Sequence, residues 1–338
     1  MSDGIVFADR LLDLLGGHRV TAALYTAVEL GVVESLAAGE RTVTEVANEC
    51  STHAPSTDRL LIALVALGIC QSAGPNRYRL TDMGACLAND ANHSLRNWAL
   101  FEGKMLSRSW MGLADSVRSG RTAAELVGAE GGRYGQMHRD PEAASVFDAA
   151  MANMTRLVAR DLIAAGDFNS AGRILDVGGG AGTLLIEILR ACPTTSGSIL
   201  DLERCEAAAR RAIAAAGMQS RASFLTADFF AGLPAGFDTL LLKNVLHNWD
   251  DEHCAVLLAN CRSALIDAGR VVIAERFLPP RDSSSRSAST ALGDLNMLRG
   301  PGGRERTEAA YCELVTSAGL HVAHLFPAGR YDLLIATR

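Results

Sequence analysis

The chain has 338 residues, 49% of them apolar and 21% charged, with a formal net charge of −6. That length holds two domains, or one with an extension, and the acidic balance leaves no basic footprint for nucleic acid or an anionic membrane. No apolar run approaches the ~20 residues of a membrane span, and the start Met-Ser-Asp-Gly lacks a signal peptide's basic region, so a cytoplasmic protein is expected.

Residues 5 to 37 carry helical patterns through Phe7, Leu11, Leu14 and Leu15, then Val20, Leu24, Val28, Leu30 and Leu36. Thr42-Val-Thr-Glu45 reads as a helix start, with Thr42 as cap and Glu45 reaching back to it. A second helix is expected from about Ser56 through Arg59, Leu60, Leu64 and Leu67, ending at Gly68. Cys70 to Leu80 then forms two extended runs around a Gly-Pro-Asn turn. Helix, helix and hairpin make a winged helix, which invites a DNA-binding reading. The helix that would enter the groove, Asp58 to Leu67, carries one positive charge and is apolar nearly all round. A reading helix needs polar side chains for base edges and phosphates, whereas an all-apolar one is buried in a core or against a partner. Dimerisation is therefore expected in place of DNA binding.

Residues 95 to 165 look helical throughout. Trp98, Leu100, Phe101, Met105, Trp110 and Leu113 form one apolar series; Val146, Phe147, Ala150, Met151, Met154, Leu157 and Val158 form another, with a turn signal between them from Gly128 to Gly135. On spacing alone, methionines in such a stripe are more often core than pocket.

Arg173 to Arg190 is the stretch around which the rest is organised. An apolar run, Ile174 to Val177, is interrupted by Asp176, passes through a glycine cluster, and becomes a helical pattern with Leu184, Leu185, Ile188 and Leu189 on one face. Strand, glycine turn and helix make half of a mononucleotide-binding unit. The dinucleotide spacing G-x-G-x-x-G fails, because position 183 is threonine. What fits is G-x-G-x-G through Gly178, Gly180 and Gly182, which is similar to the turn of S-adenosylmethionine-dependent methyltransferases. A glycine-rich loop without a ligand is the plainer alternative.

Strands and helices then alternate. Ser198–Asp201, Ala222–Asp228, Phe237–Lys243 and Arg270–Glu275 read as strands, with helices from Glu203 to Ala216 and from Asp251 to Ile266. This predicts an α/β, doubly wound, mostly parallel sheet whose ligands bind beyond the carboxyl ends of its strands. Gly178, Asp201, Asp228, His247 and Glu275 all fall at such ends. Asp201, about 20 residues after the turn, suits a ribose diol. Asp228, followed by Phe229 and Phe230, suits a purine. Either acid alone could be a solvated strand end; their joint placement favours a site. His247 gains meaning from its company, since Glu275 ends the neighbouring strand and Glu305 lies in Gly302 to Thr307. A carboxylate behind an imidazole fixes its tautomer and stabilises its protonated form. His253 lacks such partners in the sequence and reads as structural.

The eight cysteines are scattered and form no C-x-x-C, which predicts buried free thiols and no metal site. Asp282 to Thr290 reads as an exposed flexible loop.

Leu175 to Gly182, Lys243 to Cys254, Ala274 to Pro279 and Gly302 to Glu308, in that order and spacing, resemble the caffeic acid O-methyltransferase-like group of small-molecule O-methyltransferases. The resemblance covers nearly the whole chain. It implies a homodimer formed through a winged-helix domain, residues 1–100, and a catalytic domain, residues 101–338, with a helical substrate-pocket segment. It implies His247 as general base, flanked by Glu275 and Glu305. Gly178, Gly180, Asp201, Leu202, Asp228, Phe229 and Lys243 would hold S-adenosylmethionine, leaving S-adenosylhomocysteine as product. Met151, Met154, Asn244, Asp294 and Met297 would line the acceptor pocket.

The chain departs from the pattern at Asn248, where aspartate commonly follows the histidine, and at Asn244 and Met154. The expected activity is O-methylation of an aromatic or polyketide-type metabolite. Two alternatives stand beside it. One is a non-methylating member of the same fold (decarboxylase, hydroxylase or pericyclase), against which the retained His-Glu-Glu set argues. The other is a winged-helix regulator with a vestigial ligand domain, against which the apolar helix argues.

Overall fold

The computed structural model describes residues 3–89, 91, 93–129, 139–280 and 288–338. The chain divides into two units, Met1–Met111 with Glu142–Met154, and Gly112–Pro141 with Thr155–Arg338.

The first unit is mostly helical. Helices Asp3–Leu15, Gly17–Glu29 and Val32–Ala37 precede β1 (Arg41–Thr42), and helices Val43–Glu49 and Ala54–Ala66 precede β2 (Cys70–Gly74) and β3 (Arg77–Leu80). The capping box forms as read: Glu45 N–H donates to Thr42, and Thr42 N–H donates to Glu45. The second helix starts two residues earlier than expected, because Pro55 is tolerated in a first turn where its missing N–H has no partner to lose. Asn76 turns the hairpin with φ +55, a conformation asparagine tolerates. β1 pairs with β3 and was not foreseen, since a two-residue strand carries no period. Val28, Val33, Leu36, Val46, Leu61, Leu64 and Tyr78 form the core.

The 54–66 helix buries Leu61 and Leu64 in this core and leaves Ile62 55% exposed in the single chain. One expectation changes here. The run expected from residue 95 is broken, with helices Arg96–Phe101 and Ser107–Trp110 joined by a wide π turn, Glu102–Leu106. Gly103 in that turn lies against the Tyr25 ring, where a Cβ would stand 2.1 Å from Cγ. The helix Asp3–Leu15 leaves Phe7, Leu11, Leu14 and Leu15 exposed in the single chain.

The second unit contains a seven-stranded sheet in the order β6-β5-β4-β7-β8-β10-β9. Its strands are β4 (Arg173–Val177), β5 (Ser196–Asp201), β6 (Ala222–Thr226), β7 (Phe237–Lys243), β8 (Leu265–Glu275), β9 (His321–Ala328) and β10 (Tyr331–Thr337). The first five are parallel and fall where strands were expected, although β8 begins five residues earlier and β6 stops at Thr226, before Asp228; β10 runs antiparallel to both neighbours. Alternate residues feed two cores. Ile174, Ile199, Leu241 and Val272 face one side; Leu175, Leu200, Leu240 and Val271 face the other, as a sheet covered on both faces requires.

The chain builds outward from β4 through β5 to β6, then returns to the other side of β4 with β7. That reversal is where doubly wound sheets open a crevice at their carboxyl ends. The closing pair β9 and β10, and the helices Ala288–Arg299 and Glu308–Ser317, were not foreseen. Of the segment read as a flexible loop, Ala288 to Thr290 open the first of these helices and residues 282–287 lie outside the described residues. Of the turn signal at Gly128–Gly135, residues 130–135 also lie outside them.

Candidate active site

Gly178, Gly180 and Gly182 take φ values of +70, +57 and +75, a left-handed run that side chains resist. A Cβ at Gly178 would stand 3.0 Å from Val245 Cγ2 and 3.7 Å from Phe229 Cε1; one at Gly182 would stand 2.1 Å from Ile199 Cδ1. Gly180 has open space instead. Its N–H donates to Asp201 Oδ2 at 2.8 Å, and the Leu202 N–H donates to Asp201 Oδ1 at 2.7 Å. Asp201 thus ties the glycine turn to the start of the next helix while keeping acceptor capacity, since a carboxylate offers about four lone-pair sites.

Asp176 lies beneath this turn and was noticed in the sequence only as an interruption. It is buried, its Oδ2 has no hydrogen-bond partner among the described residues, and a Cβ at Gly179 would stand 2.5 Å from that oxygen. Burial pushes its carboxyl up to about 7, with Lys243 opposing and Asp201 adding to the rise. Lys243, the last residue of β7, holds Nζ 5.1 Å from the Tyr331 ring centroid. Asp228 is exposed and accepts the Phe230 N–H at 2.9 Å. The Phe229, Phe230 and Trp249 rings meet edge to face.

The positive-φ glycines, the open backbone at Gly180, the acid at Asp201 and the flat ring of Phe229 beside Gly178 fit S-adenosylmethionine. Leu202, 44% exposed at the strand–helix junction, is available to it.

His247 sits in a 3-10 turn, Leu246–Asn248, just past β7. Glu275, the last residue of β8, holds that turn: its Oε1 accepts N–H groups from Val245 at 3.0 Å, Leu246 at 2.9 Å and His247 at 3.3 Å. The imidazole Nδ1 lies 3.1 Å from Glu305 Oε1 and 3.5 Å from Glu275 Oε2. Carboxylates accept only, so Nδ1 carries the hydrogen and the lone pair falls on Nε2. Among the described residues Nε2 has no hydrogen-bond partner.

All three groups are buried. Burial alone would push His247 down, but the charge of Glu275, then the hydrogen bond and charge of Glu305, more than offset it and hold the imidazole above its ordinary value. Burial raises Glu275. It would raise Glu305 too, but the imidazole and Arg276 hold that carboxyl below the usual range. The three donor atoms lie within 4.8 Å of one another, a spacing also met around cations. Here the Arg276 guanidinium, 3.0 Å from Glu305 Oε1, already supplies a positive charge, and the set handles a proton more naturally than a metal.

Asn244 stands at φ +56; its Nδ2 donates to Tyr331 Oη at 2.9 Å and its Oδ1 is buried without a partner among the described residues. Asp294 Oδ1 accepts the Glu305 N–H at 2.9 Å, and Met297 on the same helix is buried. Met151 and Met154 are half-buried on the helix Pro141–Gly166 and belong to the first unit. His253 differs from its expectation: Nδ1 lies 2.7 Å from Asp250 Oδ1. The pair is exposed, and Asp250 caps the helix by accepting the His253 N–H.

Arg306 is a residue the sequence reading left without a role. Buried, it donates to the carbonyls of Leu246 at 3.1 Å and Trp249 at 2.7 Å and to Asp251, fixing the histidine's turn from below. Its position inside Gly302–Glu308 was a signal, but nothing in the residues said what it would bond.

A model of the O-methyltransferase domain matches residues 110–321, and one of the O-methyltransferase dimerisation domain matches residues 12–90. The 3-amino-4-hydroxybenzoate 4-O-methyltransferase of Streptomyces cremeus is 36% identical over 315 residues, covering 93% of this chain and 85% of that one. The structure of LaPhzM superposes with a TM-score of 0.91 at 30% identity, over 98% of this chain and 99% of that one. NcsB1 from neocarzinostatin biosynthesis, solved with S-adenosyl-L-homocysteine and 1,4-dihydroxy-2-naphthoic acid, superposes with a TM-score of 0.76 at 32% identity, over 94% and 95%. Among the described residues no helix is long and apolar enough to cross a membrane. With more than half of its length under the catalytic model and residues 12–90 under the dimerisation model, the chain belongs to the S-adenosylmethionine-dependent O-methyltransferase family.

Proposed function

We propose that the chain methylates a hydroxyl on an aromatic or polyketide-type small molecule, with His247 as the general base. The observation that carries this is the His247 imidazole, hydrogen-bonded at Nδ1 to Glu305 with Glu275 3.5 Å away, and with Nε2 left open among the described residues. Bound S-adenosylmethionine supplies a methyl group already activated by its sulfonium, so positioning and proton removal fall to the chain. Gly178, Gly180, Asp201, Leu202, Asp228, Phe229 and Lys243 are the residues proposed to hold it.

Nε2 takes the hydroxyl proton, and Glu305 and Glu275 stabilise the imidazolium that results. The task is uphill for an ordinary histidine: a phenol near ~10 and an imidazole near ~6.5 differ by ~3.5 units, roughly 5 kcal/mol. The raised value of His247 narrows that gap. Met151, Met154, Asn244, Asp294 and Met297 are proposed for the acceptor pocket. The exposed apolar face of the helix Asp3–Leu15 favours a homodimer through residues 1–100, with residues 101–338 catalytic.

The relatives' substrates make aminohydroxybenzoates and dihydroxynaphthoates the first acceptors to try. With one that turns over, His247→Ala should keep S-adenosylhomocysteine binding within about twofold and lose on the order of 10²–10⁴ in turnover. Unchanged turnover would remove the histidine from this role. Acceptor consumed with no S-adenosylhomocysteine formed would turn the reading to non-methylating chemistry.

A further inference from the structure

Glu305 Oε1 is shared: it lies 3.1 Å from His247 Nδ1 and 3.0 Å from Arg276 Nη2. Arg276 directly follows Glu275, so consecutive residues leaving β8 reach the imidazole by two routes, one direct and one through Glu305. The guanidinium packs under Gly293 of the helix Ala288–Arg299, where a Cβ would stand 2.8 Å from Nη2. Three quarters of the arginine side chain is covered, and its Nε is buried without a partner among the described residues.

Other charged and titratable groups face this pair. Asp294 accepts the Glu305 backbone N–H, and Glu275 Oε2 lies 3.5 Å from the same Nδ1. Arg304 and Arg306 are occupied by Asp251. Tyr311 and Cys254 lie within electrostatic reach of the two glutamates and of Glu275 respectively. Among the described residues Arg276 is the one cation bonded to the Glu305 side chain.

We propose that Arg276 is a positioning residue for the base: its guanidinium keeps Glu305 an acceptor turned onto Nδ1, and opposes the charge the imidazole gains with its proton. Two carboxylates cannot both stay ionised around one buried imidazole without help. If Glu305 took a proton it could donate to the ring, and the tautomer that opens Nε2 would no longer be fixed. While Glu305 stays ionised, removing the positive charge of Arg276 raises the proton affinity of the imidazole. If Glu305 took up a proton instead, the imidazole would lose that carboxylate's stabilisation and its midpoint would fall, the other consequence of losing the guanidinium. The proposal rests on the reading of His247 as base, and it adds what makes the imidazole release its proton again for the next turnover.

The test is a titration of the full-length protein carrying histidines ¹³C-labelled at Cε1, with S-adenosylhomocysteine present. The His247 resonance, one of eight, is identified by its loss in His247→Gln. In Arg276→Met its midpoint should move by about one pH unit, up where Glu305 stays ionised and down where it takes the proton, and Arg276→Lys should return part of that change, since a point charge lacks the planar fork. Gly293→Ala, which pushes the guanidinium aside while favouring its own helix, should shift the midpoint the same way by less and covers the case in which Arg276→Met does not fold. An unmoved midpoint in Arg276→Met, or in Gly293→Ala if that is the only soluble variant, overturns the proposal; so does Arg276→Lys matching Arg276→Met. Turnover by His247→Ala separates the two readings. An inactive His247→Ala with an unmoved titration sinks only the role of Arg276, and an active one with a shifted titration sinks the base.

Discussion

β4 and β7 are neighbours in the sheet, and each ends in a turn that the site needs. They are built in opposite ways. The turn after β4 is made of backbone: left-handed glycines, N–H groups gathered on Asp201, and a helix packed so close that Gly182 nearly touches Ile199. The turn after β7 has no glycine. It is held by charge, with Glu275 collecting three N–H groups, Arg306 collecting two carbonyls, and Glu305 facing the imidazole. Shape defines one half and electrostatics the other. A methyl donor needs a fitted cradle, whereas a base needs its proton affinity set.

The hardest blow to this contrast is Glu275→Ala. It strips a buried acceptor from three backbone donors at about 1–3 kcal/mol each, a loss of roughly 3 to 9 kcal/mol, and should cost at least ~100-fold in turnover. Glu275→Gln keeps an oxygen for the turn while removing the charge, so it should recover most of the melting temperature and little of the activity. Thermal denaturation beside steady-state turnover reads both. If Glu275→Ala melts with the wild type, the turn is not held by charge and the contrast fails.

Asp176 sharpens the other half, because it is a carboxyl buried at the end of β4, directly beneath the backbone-built turn. The folded carboxyl keeps its proton up to about 7, against 3.8 as the ordinary value. Between those values the folded state binds more protons than the unfolded one, so stability falls as pH rises through the window and levels off above it. The roughly three pH units amount to on the order of 4 kcal/mol. Asp176→Asn lacks this loss, so its stability relative to wild type should grow between pH 4 and 7 and then stay constant. Denaturant melts at pH 4.5, 6 and 8 check it; parallel curves would mean that Lys243 fully compensates the buried charge.

The same contrast explains what the sequence revealed. Glycines at fixed spacing after an apolar run announce a backbone shape locally, and the strands around them carry enough alternation to place Asp201, Asp228 and Glu275 at one sheet edge. The charge-built turn is assembled from residues 243–251, 275–276, 294 and 304–306, whose meeting depends on β7 and β8 being adjacent. His247 and its two glutamates were legible because a resemblance joined the pieces. Arg276 and Arg306 were not, since an arginine inside a motif does not say which carboxylate or carbonyl it will reach. β9 and β10 were missed for a different reason. His321–Ala328 is a largely exposed edge strand without a clean apolar alternation, and its Gly329-Arg330 turn is too short to stand out.

The smallest effect is expected at Asp201, where the two kinds of construction meet. Its two oxygens each accept a backbone N–H, one from Gly180 and one from Leu202. Asparagine offers one oxygen and one NH₂ group, so Asp201→Asn must set a donor against one of those N–H groups. The loss of one bond to a charged acceptor costs about 1.5 kcal/mol, and because it loosens the cradle more than the fold, it should emerge as about tenfold weaker S-adenosylhomocysteine binding by calorimetry. Asp228→Asn is the comparison, since that acid is exposed and accepts one backbone N–H in the described structure; its change should be smaller. Equal effects at the two acids would mean that Asp201 acts only as a ligand contact, and that the glycines hold their turn without it.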